Sequence, residues 1–409
     1  MRNAEYGLFA RPAVLKGKTI LLGITGSVAA YKAIDLIKKL KQEGASVKVI
    51  MTEASKRFVT PLSIELAAGE PVYGDMFDVP LSHVSLPAGA DLFIITPATA
   101  NSISKYAQGI ADDMLSTTLL AFNGAPERII IAPAMNWRMY ENPVFKKNLD
   151  YLVSLGIQFI GPEKGSLACG EEGIGRISDS EKILESVIAA LTKQDMAGEQ
   201  VLVTAGPTRE YIDPVRYITN RSSGKMGYAL ARIARRRGAD VTLISGPVSI
   251  EPPLGVDTLL AESAQDMHTL VMDNIPMSTL FIMSAAVADF MSAEPKNSKI
   301  EKKDKYSLNL LKTVDILEAV GKLRKRPFTV GFSAETGPRI DRARKKLTSK
   351  NIDMIVFNDV SRKGSGFDVD TNEVVIIDRE AEKKLPLMDK EDVAAAIFDR
   401  ILELKYNSQ

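Results

Sequence analysis

Cysteine, histidine and tryptophan are nearly missing from this 409-residue chain, which holds one Cys, two His and one Trp. A single Cys excludes an intramolecular disulfide and any Cys-rich zinc or iron–sulfur site. Two His cannot furnish a three-His metal centre. A reducing, cytoplasmic setting is the expectation. Chemistry that needs a group titrating near neutral pH is confined to His83, His268, Cys169 or a perturbed carboxylate or lysine. An excess of either charge is missing too. The chain's 52 Lys+Arg face 51 Asp+Glu, so no net field draws in a polyanion and nucleic acid is not an expected partner. No run of about 18 apolar residues occurs, so no membrane span is expected. The opening MRNAEYGLFARPAVLKGK has no apolar stretch of signal-peptide length, so no leader is expected. The arm before Lys18 reads as irregular, either partner-contacting or frayed.

What is present is the ordinary mixture of a globular protein, with 45% apolar and 25% charged residues in a length suited to two or three domains. Two stretches share one pattern. KTILLGITGSVAAYKAIDLIKKLKQEGASVKVIMT runs from an apolar strand (Thr19 to Leu22) through a Gly-containing turn and a helix to a second strand (Val47 to Met51). EQVLVTAGPTRE and SSGKMGYALARIARRRGADVTLISG repeat it with strands at Val201 to Thr204 and Val241 to Ser245. The β-branched runs suit buried parallel strands, and Gly44 and Gly238 sit where helices end. Further strands are expected at Leu92 to Thr96 and Ile129 to Ile131, each stopping at proline. Others fall at Leu280 to Met283, Thr329 to Gly331, Met354 to Phe357 and Val374 to Ile377. Glu181 to Leu191 reads as a closing helix. The fold class is therefore α/β, two doubly wound domains in tandem. The boundaries are 1–190 and 200–409, with a polar linker at 191–199.

In such sheets ligands bind beyond the carboxyl ends of the strands. Gly23-Ile-Thr-Gly26-Ser27 follows the first strand and reads either as an anion cradle at a helix start or as a tight turn needing glycine. It lacks the GxGxxG spacing, and Thr52 rather than an acid ends the second strand, so a mononucleotide such as FMN fits better than NAD. In PATANSISK, Thr99 and Asn101 could hydrogen-bond a heterocycle or phosphate, or could cap the next helix. In Ala132-Pro-Ala-Met-Asn136-Trp-Arg, Asn136 could hold a carboxylate while Met135 packs on a ring; an oligomer contact is the other reading. Cys169 lies in a Gly-rich stretch, Gly165 to Arg176, read as a mobile flap. A buried inert thiol suits that setting less well than a reactive one able to donate a proton. His83 by itself reads as a polar residue between loop and strand.

In the second half, GPTREYIDPVR and TNRSSGKMG combine Arg and Lys ahead of a helix, which suits a phosphorylated ligand, though no Walker loop is present. Ser284-Ala-Ala-Val-Ala-Asp289-Phe follows a strand. The lysines of KNSKIEKKDK read as a solvated charge run. His268 has no motif around it and reads as structural.

Taken together, GITGSVAAYKA, LSHVSL, PATANSISK, PAMNWRMY and LACGEEGIGR resemble the phosphopantothenoylcysteine decarboxylase half of the bifunctional coenzyme A biosynthesis proteins. GPTREYIDPVRYITNRSSGKMG, AAVADF, SKIEKK, VGFSAET and KKLTSKNIDMIVFNDVS resemble the phosphopantothenate–cysteine ligase half. The resemblance implies a flavodoxin-like/Rossmann-like FMN-binding domain followed by a Rossmann-like ligase domain. It implies ligation of 4'-phosphopantothenate to cysteine through an acyl-nucleotide, then flavin-dependent oxidation, CO2 loss and reduction of the enethiol. Carried over by position, His83 is base or orienter, Asn136 grips the substrate carboxylate, and Cys169 supplies a proton. Gly26, Ser27, Thr52, Thr99 and Asn101 fall at FMN. Asn220 stabilises the acyl intermediate and Lys299 neutralises phosphate charge. Met283, Ser284, Ala285, Asp289, Lys299, Val314, Asp315, Ile316, Leu317, Phe332, Lys346 and Lys350 fall at the nucleotide, for which CTP is preferred to ATP. Magnesium is implied through the phosphates, with no protein ligands assigned. A homo-oligomer with trimeric decarboxylase and dimeric ligase contacts is also implied. Where the family has Asn-Pro before Asp-Ile, this chain has Thr313-Val314, and loss of the proline is expected to loosen that loop. A flavin-binding regulatory protein with lost activity would show gaps among His83, Asn136 and Cys169, and there are none. A different flavin enzyme, such as a prenyltransferase, leaves the second half unexplained.

Overall fold

Aliphatic runs become parallel strands here because helices cover both faces of each sheet. The computed structural model describes residues 13–166, 170–302, 304–337, 339–362 and 364–406. These fall into two units, 13–192 and 193–406. Cys169 and the arm as far as residue 12 lie outside the described residues.

The first unit runs β1 (Thr19–Ile24), α1 (Ala33–Gln42), β2 (Ser46–Met51), α2 (Pro61–Ala68), α3 (Ser82–Ala88), β3 (Leu92–Ala98), α4 (Ala100–Ala107) and α5 (Met114–Leu120). It continues with β4 (Ile129–Pro133), α6 (Trp137–Tyr140), α7 (Pro143–Ser154), β5 (Gln158–Phe159), the hairpin β6 (Glu163–Ser166) and β7 (Glu172–Arg176), and α8 (Ser180–Leu191). The sheet order is β2-β1-β3-β4-β5, all parallel, the flavodoxin-like order with its reversal between β1 and β3. Successive residues of β3 show why both faces must be apolar. Leu92 and Ile94 join a core with α1 and α8, while Phe93 and Ile95 join one with α5 and α7. Helix α1 meets the sheet through Ala33, Leu36, Ile37 and Leu40, the i, i+3, i+4, i+7 stripe of an amphipathic helix.

The second unit runs β8 (Gln200–Ala205), β9 (Arg209–Tyr211), β10 (Tyr217–Thr219), α9 (Lys225–Arg236), β11 (Asp240–Ser245), β12 (Asp257–Leu260), α10 (Ala264–Asn274) and β13 (Leu280–Met283). Then come β14 (Phe290–Ser292), β15 (Leu310–Lys312), α11 (Ile316–Gly321), β16 (Phe328–Glu335), α12 (Ile340–Ser349) and β17 (Met354–Asp359). The unit ends with β18 (Thr371–Asn372), β19 (Val374–Asp378), β20 (Glu382–Lys384), β21 (Met388–Asp389) and α13 (Lys390–Tyr406). Its main sheet has the order β12-β11-β8-β13-β16-β17-β19-β20, a Rossmann-like arrangement that reverses between β8 and β13.

Several expectations need correction. Strand β3 does not stop before proline but runs on through Pro97 to Ala98, with a register irregularity between Ile95 and Ala98, whereas β4 ends at Pro133. After the first glycine turn the chain makes a 3-10 turn, Val28–Lys32, before α1 begins. The last strands of the second sheet, β19 and β20, are antiparallel. The segment read as a linker packs on the second unit. Met196 is buried and donates its N–H to Arg237 O at 2.9 Å, and Asp195 receives the Arg237 guanidinium at 2.7 and 2.8 Å. Gly44 and Gly238 do close their helices, at φ 86° and 92°, a region costly for residues bearing Cβ.

Lys390 opens α13 and donates to the carbonyls of Gly366, at 3.0 Å, and Val369. Burial, reinforced by the charge of Lys225, pushes its ammonium down to about 8 from an ordinary 10.5. The unfolded chain therefore holds this proton more tightly between those values, and the second unit should gain stability as pH rises from about 8 towards 10.5, by roughly 2 kcal/mol. Denaturant titrations across that range, wild type against Lys390→Met, check this. Equal pH slopes in the two proteins would refute it.

Candidate functional site

In the first unit the sequence-derived residues collect along one sheet edge. Gly26 and Ser27 follow β1, Thr52 follows β2, Thr99 and Asn101 follow β3, and Asn136 follows β4. Two adjacent loops are joined by Thr25, a residue that motif reading passed over. Its buried hydroxyl donates to Pro97 O at 2.7 Å and accepts the Thr99 N–H at 3.0 Å. A threonine between the strand and its Gly-Ser turn was the available signal. At Gly26, an added Cβ would lie 2.5 Å from the Ala54 Cβ, so the tight-turn reading accounts for this glycine. Ser27 caps the 3-10 turn, accepting from Ala29 N. Thr99 caps α4, accepting from Ser102 N, and Asn101 lies exposed on that helix. Thr52 donates its N–H to Ile24 O at 3.1 Å.

His83 lies within α3 rather than between loop and strand. It is the second residue of a helix that crosses back from β2 towards the start of β3, so it sits near the carboxyl end of the sheet. Among the described residues, its Nδ1 and the Thr117 hydroxyl are the buried side-chain polar atoms that lack a hydrogen-bond partner. An orphaned buried polar atom is costly and calls for an explanation. Asn136 is the N-cap of α6, its Oδ1 accepting from Arg138 N at 2.9 Å. The cap identifies Nδ2 as the donor end of the amide.

The Gly-rich stretch read as a mobile flap forms the antiparallel hairpin β6–β7. It docks on the turn that carries Asn136. Met135 N donates to Gly175 O at 3.2 Å, and Glu171 accepts from Trp137 Nε1 at 2.9 Å and from Arg138 at 2.8 Å.

In the second unit a polar network braces the loops at the β8/β13 reversal. Ser284 donates to Thr204 O at 2.7 Å, and Ala285 N donates to the Thr204 hydroxyl at 3.3 Å. Thr208, fully buried, accepts from Ala288 N at 3.0 Å, and Asn220 Nδ2 donates to Val287 O at 2.8 Å. In the loop where the proline is missing, Thr313 bonds to the segment after β13: its hydroxyl donates to Ala288 O at 2.6 Å and its N–H to Asp289 O at 3.1 Å. Asp289 itself is exposed.

Lys299 is also exposed, but its segment is anchored at Asp213. That buried carboxylate accepts from Val215 N and Arg216 N, both at 2.8 Å, from Ile300 N at 3.1 Å, and from the Arg216 guanidinium at 3.2 Å. Desolvation alone would raise the Asp213 pKa; the three backbone N–H groups and Arg216 outweigh it and hold it below the ordinary value. Lys296 N adds a bond to Ile212 O at 2.8 Å.

The remaining nucleotide candidates are of three kinds. Ile316 and Leu317 are buried in the core through α11, and Val314 and Met283 pack against the same core. Phe332 packs half-buried on the opposite core. Lys346 donates to Ser333 Oγ at 3.0 Å, and Lys350 to Asp315 and, at 2.8 Å, to Glu318. Asp315 also caps α11 by accepting from Glu318 N at 2.9 Å. Lys322 and then Lys350 hold the Glu318 carboxyl down to about 2. Burial works against the Lys350 charge, and Asp315 and Glu318 more than compensate, holding its pKa above the ordinary value. The cations of SSGKMG are engaged likewise: Arg221 pairs with Asp368, and Lys225 with Asp370 at 2.6 Å. Among the described residues no three His, Cys, Asp or Glu side chains converge as a metal site requires. Among the described residues, no helix is long and apolar enough to cross a membrane.

The two sheet topologies define a flavodoxin-like domain and a second, Rossmann-like domain. Residues 9–192 match the flavoprotein family model, and residues 196–404 match that of the DNA/pantothenate metabolism flavoprotein C-terminal domain. The coenzyme A biosynthesis bifunctional protein CoaBC of Bacillus subtilis (strain 168) is 46% identical over 401 residues, spanning 96% of this chain and 98% of its own length. That of Escherichia coli (strain K12) is 41% identical over 398 residues, spanning 95% and 97%. A crystal structure of the C-terminal domain of such a protein is 40% identical, covering 52% of this chain and 98% of that one, with a TM-score of 0.45. The chain belongs to the family of bifunctional coenzyme A biosynthesis proteins, and is a phosphopantothenoylcysteine decarboxylase joined to a phosphopantothenate–cysteine ligase.

Asp213→Ala should leave three backbone N–H groups without their acceptor and release the Lys299 segment. The expected result is a Tm of the second unit lowered by about 5 °C or more, with ligation reduced and decarboxylation kept. Calorimetry and separate assays of the two steps check this.

Proposed function

We propose that the second unit joins 4'-phosphopantothenate to cysteine with CTP, magnesium entering on the nucleotide phosphates, and that the first then decarboxylates 4'-phosphopantothenoylcysteine with FMN. The observation that carries the flavin reading is the unpartnered, buried Nδ1 of His83, in a unit whose small-residue loops line one sheet edge. Gly26, Ser27, Thr52, Thr99 and Asn101 would hold the cofactor, the start of the 3-10 turn and the hydroxyls each contributing about 0.3–1 kcal/mol towards its phosphate. FMN, when bound, supplies an electron sink for the thiol-bearing end of the substrate, which makes loss of the neighbouring carboxylate accessible.

The chain's residues do the rest. The Asn136 amide donates to the substrate carboxylate through Nδ2 and fixes its orientation. His83 receives or orients the proton exchanged with the substrate thiol. Cys169 donates a proton in the final step, as a free cysteine, mostly thiol at neutral pH, can do. In the ligase, Asn220 steadies the activated acyl group from a position fixed by its bond to Val287 O. Lys299, carried on the Asp213-anchored segment, offsets phosphate charge as the nucleotide leaves. Lys346, Lys350, Phe332 and Asp289 line the nucleotide with Met283, Ser284, Ala285 and Asp315, and Val314, Ile316 and Leu317 contribute main chain because their apolar side chains face the core. Exposed apolar side chains support a homo-oligomer. They include Leu62, Leu66 and Phe77 in the first unit, suited to trimeric contacts, and Phe290, Leu310 and Leu311 on β14–β15, suited to dimeric ones. We place the protein in the cytoplasm, the setting that a lone thiol suits.

Purified protein should be yellow, or become so with FMN; a colourless protein that takes up no flavin would sink the first-unit reading. With phosphopantothenate, cysteine, CTP and magnesium, mass spectrometry should show the amide and then its decarboxylated product, with ATP a poorer replacement. Cys169→Ser should leave ligation intact and stall decarboxylation at an oxidised, decarboxylated intermediate. Normal turnover by that variant would remove Cys169 from the mechanism.

A further inference from the structure

Glu171 has no role in the scheme above, yet its carboxylate makes two bonds at the edge of the site. One oxygen accepts from the indole Nε1 of Trp137 at 2.9 Å and the other from the Arg138 guanidinium at 2.8 Å. Both donors stand immediately after Asn136, whose side chain caps the same short helix by accepting from Arg138 N at 2.9 Å. The acceptor stands just before β7, in the connection of the hairpin whose sequence carries Cys169. Two further contacts run in parallel. Met135 N donates to Gly175 O at 3.2 Å, and the Trp137 side chain packs so closely on Gly173 that an added Cβ there would lie 2.9 Å from it. Arg138 also stacks on the indole, 5.3 Å from its centroid.

We infer that Glu171 is a positioning residue for decarboxylation: through Trp137 and Arg138 it locks the β6–β7 hairpin to the turn that presents Asn136. The inference rests on the decarboxylase reading of that turn. The carboxylate–indole bond carries most of the lock, because charge-assisted hydrogen bonds with a partly buried donor outlast exposed ion pairs, and Arg138 is largely exposed. Glu171 would not touch the reacting atoms. It would fix the distance between the group that holds the substrate carboxylate and the hairpin, a spacing on which rate depends steeply.

The chain's one tryptophan is Trp137, so fluorotryptophan incorporated into the FMN-loaded full-length protein gives a single 19F resonance at the lock. In Glu171→Ala that resonance should shift, and decarboxylation kcat/KM should fall by about 10- to 100-fold. Ligation by the same chain should be unchanged, which controls for folding. Glu171→Gln, which keeps an acceptor for the indole, should fall between wild type and Glu171→Ala in both readouts. Trp137→Phe should lower decarboxylation in the same direction. An unmoved resonance in Glu171→Ala, or a moved one with decarboxylation intact, overturns the inference. A wild-type protein that ligates but never decarboxylates fails the functional reading instead, and is told apart by that assay alone.

Discussion

Close approach of main chain to main chain at the ends of parallel strands is the constraint on which the rest of this structure depends. After β11, a Cβ on Gly246 would lie 1.7 Å from the Pro207 carbonyl oxygen beyond β8, and one on Gly227, in α9, 2.5 Å from the Ala205 Cβ. Beyond β1, a Cβ on Gly26 would lie 2.5 Å from the Ala54 Cβ beyond β2, and within β1 one on Gly23 would lie 2.5 Å from a Leu115 methyl group. Gly26 and Gly246 thus let the loops of β1 and β2, and of β8 and β11, sit against one another on one side of each point where strand order reverses. On the other side short hydroxyl side chains span the loops. Thr25 does so between the ends of β1 and β3, and Thr204 and Thr208 between the ends of β8 and β13, where Thr313 also bonds. A larger residue at Gly26 or Gly246 would not fit without moving the loop opposite it.

Charge is arranged on a second principle in the ligase unit. The cations that a phosphorylated ligand would use are already held by carboxylates: Lys350 by Asp315 and Glu318, Lys225 by Asp370, Arg221 by Asp368. An anionic ligand meeting such cations would exchange one partner for another, so the long side chains would lose little further freedom. Asp213 differs because it is buried and accepts mainly from backbone N–H groups. Its work is to hold a segment in place. In the first unit Glu171 likewise bonds to the turn after β4, beside Asn136.

Much of this was legible beforehand. The strand runs were found to within a few residues, since apolar patterning reports burial on both faces and does not depend on distant partners. The motif residues fell where the topology needs them, after β1, β3, β4, β8 and β13. What was missed shares a cause. Proline was taken to end β3, but the strand runs on through Pro97 close to the end of the ladder, where a missing N–H costs little. The composition of the Gly-rich stretch gave no sign that Glu171 and Gly175 bond to partners more than thirty residues away. The polarity of the linker gave no sign that its Met is buried and that its Asp195 meets Arg237, just beyond α9.

By itself, then, the sequence determined the class of fold, the placement of the glycine turns, and the scarcity that leaves one Cys, two His or a perturbed carboxylate or lysine for acid–base chemistry near neutral pH. Periodicity and residue size are local properties, and they suffice for that. Only the tertiary structure decided which carboxylates neutralise which cations and that His83 lies on a helix with its Nδ1 buried and unpartnered. It also decided that Thr313 bonds to the segment after β13, and that Glu171 joins the hairpin to Asn136's turn. Those outcomes depend on contacts between residues far apart in the chain, and local pattern carries no information about them.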